Sequence, residues 1–144
     1  GKLKAVITQN IDGLHQAAGS KRVLELHGSV HRNYCMRCRQ FYDAKYMLES
    51  EGVPTCSCGS MIKPDVVLYE EGLDQQTIED SVRYIRQADV LIIGGTSLVV
   101  YPAAGLIDYF SGSKLVVINK SVTSRDKNAD LVLQGNIGEI LSQI

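Results

Sequence analysis

The residues best placed to do chemistry together are four cysteines. Cys35 and Cys38 form a C-x-x-C pair, Cys56 and Cys58 a C-x-C pair, and seventeen residues separate the two pairs. They are all the cysteines of the chain, which argues for a joint role. A structural zinc ion takes four thiolates converging tetrahedrally at about 2.3 Å, and two close pairs on separate turns deliver that geometry. Two disulfides or reduced buried thiols would use the same residues. With no secretory signal in view, zinc is favoured over both. The C-x-C pair is tighter than the usual second knuckle. His31 is a substitute ligand should one cysteine fail, although its plainer role is that of a surface histidine. Four bound thiolates leave no open position, so the metal would be structural.

A second group is polar and sits where apolar runs stop. Gly94-Gly95-Thr96-Ser97 follows the run VLII and precedes a helix-friendly segment. Small residues at such a place let a phosphate or ribose approach backbone N–H groups and a helix N-terminus. Three other runs end in the same way: Thr8-Gln9-Asn10 with Asp12 beyond, His27-Gly28, and Asn119 after VVI. Singly, each is more simply a cap or a turn residue. If the strands are parallel, all project to one edge of the sheet and together outline a nucleotide-sized site. A histidine there titrates near neutrality and can act as a general base.

The elements that must position these groups alternate. Strands are expected at residues 4–8, 23–26, 89–93, 114–118 and 131–133, with a short extended run at 66–69. Helices are expected at 12–18, stopped by Gly19, and after Asp74 as N-cap, where Ile78, Val82, Ile85 and Ala88 share one face. Another is entered through Pro102 and carries Ala103, Leu106, Ile107 and Phe110, and a last one ends in Ile140, Leu141 and Ile144. Uninterrupted apolar strands alternating with helices predict an α/β fold with a parallel, Rossmann-like sheet covered on both faces. Residues 28–64 break the pattern and read as a small zinc-ribbon insertion, so that 1–27 and 65–144 form the main domain.

Composition closes off other classes. The 144 residues are 44% hydrophobic and 22% charged, an ordinary core-forming balance. Fifteen Lys+Arg against sixteen Asp+Glu, with no basic run, exclude the electrostatic footprint of a nucleic-acid binder. Residues 90–107 carry no charge, yet Gly94, Gly95, Thr96, Ser97 and Pro102 divide them into strand, loop and helix rather than a membrane span. A cytoplasmic protein is expected.

Taken together, TQNIDGLHQAAG, LELHGS, the paired cysteines, KPDVVLYEE, GTSLVVYP and VVIN resemble, in order and spacing, the sirtuins, NAD-dependent protein lysine deacylases. The resemblance runs from Ala5 to the C-terminus and looks closest to bacterial members. It implies a Rossmann-like NAD domain, an inserted zinc module and an acyl-lysine peptide in the cleft between them. In that family the substrate's amide oxygen attacks C1′ of the nicotinamide ribose, nicotinamide leaves, and an O-acyl-ADP-ribose is formed by way of an imidate. Carried over, His27 is the general base for a ribose hydroxyl. Asn10 and Asp12 organise the nicotinamide ribose and carboxamide pocket, and Gln9 contacts ribose. Gly95, Thr96 and Ser97 hold phosphate and ribose, Asn119 meets the adenosine ribose, and Gly135, Asn136 and Ile137 pass near adenine. The peptide would add as a strand between Val67-Leu68-Tyr69 and Val99-Val100, a β-augmentation read mainly through main-chain hydrogen bonds.

Two departures from the family pattern stand out. Many sirtuins have Phe-Gly-Glu where this chain has Tyr69-Glu70-Glu71, which alters the loop beside the substrate. The first strand, with its G-A-G-x-S loop, and the Pro-Asp-Phe-Arg segment do not occur before Lys2. The expectation is therefore a C-terminal portion of a larger enzyme, inactive alone, whose central strand comes from another chain, a swapped copy or upstream residues. A zinc-bearing, noncatalytic peptide-binding module is the alternative. A different Rossmann-like nucleotide-binding domain would explain GGTS and VVIN but not TQNID, LHG and the cysteines together.

Overall fold

In the computed structural model, which describes residues 1–143, strand β1 (Val6–Thr8) lies parallel to β2 (Val23–Glu25), with Val6 opposite Val23 and Thr8 opposite Glu25. Both are shorter than expected because each pairs only over three residues. The connecting helix α1 shrinks to one turn, Leu14–Ala17. Gly13 is left-handed at φ 70° and the Asp12 carboxylate accepts from Leu14 N–H at 3.0 Å, so residues 12–13 form the turn into the helix instead of its first residues. Gly19, at φ 89°, ends it as expected.

The cysteine-rich segment is an antiparallel sheet in the order β4-β3-β5, made of β3 (Gly28–Cys35), β4 (Phe41–Asp43) and β5 (Ile62–Val66). The register slips between Ser29 and Asn33. Asn33 is buried there, and its amide donates to the carbonyls of Val30 and Tyr42 at 3.2 and 3.3 Å, satisfying groups that the bulge leaves unpaired. Helix α2 (Ala44–Glu49) is capped by Asp43, which accepts from Tyr46 N–H at 2.8 Å. The ribbon's last strand runs past residue 64 to Val66, and the expected extended run beyond it bends into a turn at Tyr69 and Glu70.

The chain forms two compact units, Gly1–Ile78 and Glu79–Ile144. Helix α3 (Gln75–Gln87) runs across the division. Its buried residues are Ser81 and Ile85, with Ile78, Val82 and Ala88 half-buried beside them, the stripe read from the sequence.

In the second unit β6 (Val90–Gly94), β7 (Lys114–Asn119) and β8 (Leu131–Gln134) are parallel in the order β6-β7-β8. Ile93, Leu98, Leu115 and Val117 make a core on one face, with Ile107, Phe110 and Ala129 packed against it. The expected helix after Pro102 is a 3-10 helix, Ala103–Tyr109. Its first turn closes by a Gly105 N–H to Pro102 carbonyl bond at 3.0 Å, and a glycine inside so short an element gives the wider α-helix little support. On the other face, helix α4 (Ile137–Leu141) lies close: a Cβ on Gly94 would stand 2.2 Å from Ile137 Cδ1. The amino ends of that face stay open, Val90 and Ile92 being 50% and 52% exposed, so coverage of both faces holds only at the carboxyl end. Ile144, expected to close α4, lies outside the described residues.

Asp74 caps α3 by accepting from both Thr77 N–H and Thr77 Oγ1 at 2.8 Å. The Thr77 backbone N–H, then its hydroxyl, hold the carboxyl below its ordinary pKa. Its contribution is therefore present above the ordinary carboxylate pKa and lost as pH falls through the lowered value. Asp74→Ala should cost about 1 kcal/mol at neutral pH, and denaturant midpoints should show the gap to the wild type closing in acid.

Candidate functional site

The four cysteines converge. Cys35 ends β3, and its knuckle is closed by Arg39 N–H to Cys35 carbonyl at 3.1 Å and Cys35 N–H to Gln40 carbonyl at 2.9 Å, with Arg39 at φ 62°. The second knuckle is closed by Gly59 N–H to Cys56 carbonyl and Cys56 N–H to Ser60 carbonyl, both 2.8 Å. Gly59 takes the left-handed turn at φ 82°, and this lets the tight C-x-C spacing work. All four Sγ atoms lie within 4.8 Å of one another. The closest approaches, Cys35–Cys58 at 3.4 Å and Cys38–Cys56 at 3.5 Å, join one knuckle to the other. Tetrahedral zinc with bonds of about 2.3 Å places its sulfurs about 3.8 Å apart, and the cluster fits that ion. The cysteines are free thiols, not disulfides. His31 is not among them; its Nε2 donates to the Asp12 carbonyl at 2.9 Å.

The cluster's electrostatics favour a cation. The Cys38 N–H pulls the Cys35 thiol below its ordinary pKa. The Cys58 N–H and the Tyr42 hydroxyl pull Cys56 down to about 6. Against the pull of the Gln40 N–H, the neighbouring Cys35 and Cys56 sulfurs push Cys38 up to about 11. Cys56 is thus poised as a thiolate while Cys38 keeps its proton, and a divalent ion would replace that proton. The N–H groups of Arg37 and Cys38 both point at Cys35 Sγ at 3.4 Å, supporting a ligand from outside the coordination sphere.

At the carboxyl end of β1 and β2 the first unit gathers Gln9, Asn10, Asp12 and His27. Leu26 N–H donates to Thr8 carbonyl at 2.9 Å, Val67 N–H to His27 carbonyl at 3.1 Å, and Asn10 N–H to Thr8 Oγ1 at 3.0 Å. His27 is half-buried, and its Nδ1 lies 3.0 Å from the Gln9 carbonyl. A carbonyl can only accept, so Nδ1 carries the proton and Nε2 keeps its lone pair. Asn10 and Asp12 are exposed beside it. Val67 adjoins His27, whereas Leu68 and Tyr69 leave the strand for the turn.

The second unit gathers its own set at the carboxyl ends of β6, β7 and β8. Gly95, at φ 63°, donates to the Ile118 carbonyl at 3.1 Å. The Asn119 amide donates to the carbonyls of Thr96 and Ser121 at 3.0 and 3.1 Å, and its own carbonyl accepts from Gly135 N–H at 3.0 Å. Asn136 caps α4 through Gly138 N–H at 3.1 Å, with Ile137 as the first helical residue. Ser97 is exposed. No helix begins directly after GGTS, because residues 96–102 are loop and the 3-10 helix starts only at Ala103. The helix-dipole part of the expectation therefore fails, and backbone N–H groups are what that loop offers. Val99 and Val100 lie exposed in the same loop and not in a strand.

The Sir2 family's sequence profile matches residues 1–102. The chain belongs to the Sir2 family. It is 62% identical over 146 residues to an NAD-dependent protein deacetylase of Clostridium acetobutylicum and 64% identical to one of Clostridium perfringens, covering all of this chain and 60% of each relative. The chain thus spans about 60% of the length of these curated relatives. A solved structure described as Sir2 with a p53 peptide and NAD+ superposes with a TM-score of 0.89 at 44% identity, over 98% of this chain and 61% of that one. Another, from work on sirtuin substrate affinity, reaches 0.91 at 44% identity, over 98% and 60%. Sequence reasoning missed two residues. Arg32 bridges Glu25 and Asp65 at 2.6 and 2.9 Å, and Glu71 closes the turn after Val67. Their partners lie too far off in sequence, or across a turn not foreseen, to leave a spacing signal.

Metal analysis should return one zinc per chain. Chelation should speed hydrogen exchange across β3 to β5 while β6 to β8 stay protected, and zinc affinity should fall as pH drops through about 6, where the Cys56 thiolate takes up its proton. Protein without zinc would end this reading.

Proposed function

We propose that the protein is an NAD-dependent protein lysine deacetylase. One observation carries the proposal: at the end of a parallel strand pair, in a Sir2-family chain, His27 is held with Nδ1–H on the Gln9 carbonyl. That leaves Nε2 free to take a proton from a substrate hydroxyl. NAD and an acyl-lysine peptide are the substrates; nicotinamide, free lysine and O-acyl-ADP-ribose are the products, with one water consumed. Relatives named as NAD-dependent protein deacetylases, and the Sir2 structure with peptide and NAD+, support both substrates.

The roles proposed for the individual residues are those that the family resemblance implies. His27 accepts the ribose hydroxyl proton. Asn10 and Asp12, exposed beside it, orient the nicotinamide ribose and carboxamide, with Gln9 holding His27 and facing the ribose. Gly95, Thr96 and Ser97 offer backbone N–H and hydroxyl groups to phosphate and ribose. Asn119 spends both amide hydrogens on carbonyls, so it meets the adenosine ribose through Oδ1. Gly135, Asn136 and Ile137 border the adenine. Val67, Leu68 and Tyr69 of the first unit, and Val99 and Val100 of the second, are the residues proposed to receive the peptide main chain. Residues 1–27 and 65–144 act as the NAD domain and 28–64 as the zinc module. Free thiols fit a reducing compartment, and the protein is assigned to the cytoplasm. No helix among the described residues is long and apolar enough to cross a membrane.

In the full-length enzyme that carries this chain, an acetyl-lysine peptide and NAD should give nicotinamide release, and His27→Ala should lower turnover by about 100-fold or more while NAD still binds. Near-normal turnover in that variant would remove His27 from the role of base.

A further inference from the structure

Strand β5 is an outer strand of its sheet, and among the described residues its outer edge carries no further strand beyond the Thr55–Met61 bridge at its start. Just past its end, Val67 N–H points inward to the His27 carbonyl at 3.1 Å. Successive N–H groups along an extended chain point to opposite sides, which turns the N–H and C=O of Leu68 to the outer edge. These are the groups that an added peptide strand would pair with. Both are already taken by a single residue. Glu71 N–H donates to the Leu68 carbonyl at 3.1 Å, and Glu71 Oε2 accepts from Leu68 N–H at 2.9 Å. Lys63 holds the same Oε2 at 3.3 Å and also donates to the Val66 carbonyl at 3.1 Å.

The turn that makes this possible is a strained one. Glu70 occupies its third position at φ 70°, a left-handed conformation that a side chain disfavours and glycine accepts freely. Nothing packs over the turn: Leu68 is 56% exposed and Tyr69 fully so. It is held shut by Glu71 and Lys63, not by burial.

We infer that Glu71 is a clasp that competes with the acyl-lysine peptide for the Leu68 main chain, and so sets the affinity for peptide. The inference rests on the deacetylase reading above and adds to it the residue that the peptide displaces. Peptide addition exchanges two internal hydrogen bonds for two intermolecular ones and frees the Glu71 carboxylate. Leu68 is not among the residues proposed for NAD, so NAD binding should be unchanged.

Two variants test the clasp. Glu71→Ala removes the carboxylate; Glu71→Gln keeps an oxygen able to accept from Leu68 N–H but loses the charge that Lys63 holds. Amide exchange followed by NMR should speed up at Leu68 in Glu71→Ala, less so in Glu71→Gln, with Val67 unchanged. The KM for an acetyl-lysine peptide should fall about threefold to tenfold in Glu71→Ala, the size of one net hydrogen bond. Glu71→Gln should fall between the two, and the KM for NAD should not move. Turnover with a peptide KM that is unchanged or raised in Glu71→Ala overturns the clasp and leaves the deacetylase reading standing. These measurements use the full-length enzyme that carries this chain, and absence of nicotinamide release from its wild-type form overturns both.

Discussion

The backbone at Gly28 is the constraint on which the first unit depends. At φ 79° the chain enters antiparallel β3 after only a two-residue turn, Leu26 and His27, from parallel β2. A Cβ at that position would stand 1.8 Å from the Asp65 carbonyl oxygen, so only glycine permits β5 to come so near. The near approach is what brings the far end of the ribbon back to its beginning, where Val67 N–H meets the His27 carbonyl. The ribbon therefore leaves and rejoins the parallel pair at one residue, and that residue is the proposed base. Arg32 braces the same junction. Glu25, with a side chain only 7% exposed, and Asp65 both bind its guanidinium; burial alone would lower its pKa, but the two carboxylates hold it raised. A buried carboxylate without such a partner would be costly.

The ribbon cannot hold this junction by apolar burial alone. Its core is Cys35, Cys56 and Ile62, with Tyr42, Met47 and Cys58 against them, too little to offset the entropy of ordering so small a sheet. A four-thiolate metal centre supplies what the core lacks, since the free energy of binding a structural ion goes into folding. The metal reading and the catalytic reading are thus linked through geometry. The knuckles fix β3 and β5, these fix the His27–Val67 bond, and that bond sets where the peptide edge begins.

Much of this was legible because the signals were local. The cysteine spacing, the apolar runs of β6 and β7, and Asp74 ahead of an apolar helical stripe each act within a few residues. The ribbon's strands were not, because the slip between Ser29 and Asn33 and the two knuckle turns interrupt the alternation by which a strand is read. The helix after Pro102 had suitable apolar residues but too short a span, and became 3-10. Residues 67–69 had β-branched and aromatic character, yet Glu70 and Glu71 drew them into a turn. Arg32 and Glu71 act through partners that only the folded chain brings near, Asp65 being 33 positions from Arg32. Polar strand ends lie together within each unit, Gln9 by His27 in the first and Thr96 by Asn119 in the second.

The strand ends of the second unit and the turn at Leu68 are held in different ways. In the second unit one residue, Asn119, ties the loops after β6, β7 and β8 together, the first two by its side-chain amide and the third by its main-chain carbonyl, and Leu98 anchors the β6 loop as a buried residue at φ 56°. Loops held in that way present backbone donors already in position, so a nucleotide bound there costs little further ordering. The turn at Leu68 is the opposite case, exposed, strained at Glu70 and closed by one carboxylate. A peptide recognised through its main chain gains little from a rigid side-chain pocket, because many sequences must fit. What can be adjusted is the cost of freeing the edge, and in this chain that cost resides in the contacts of Glu71 with Leu68 and Lys63.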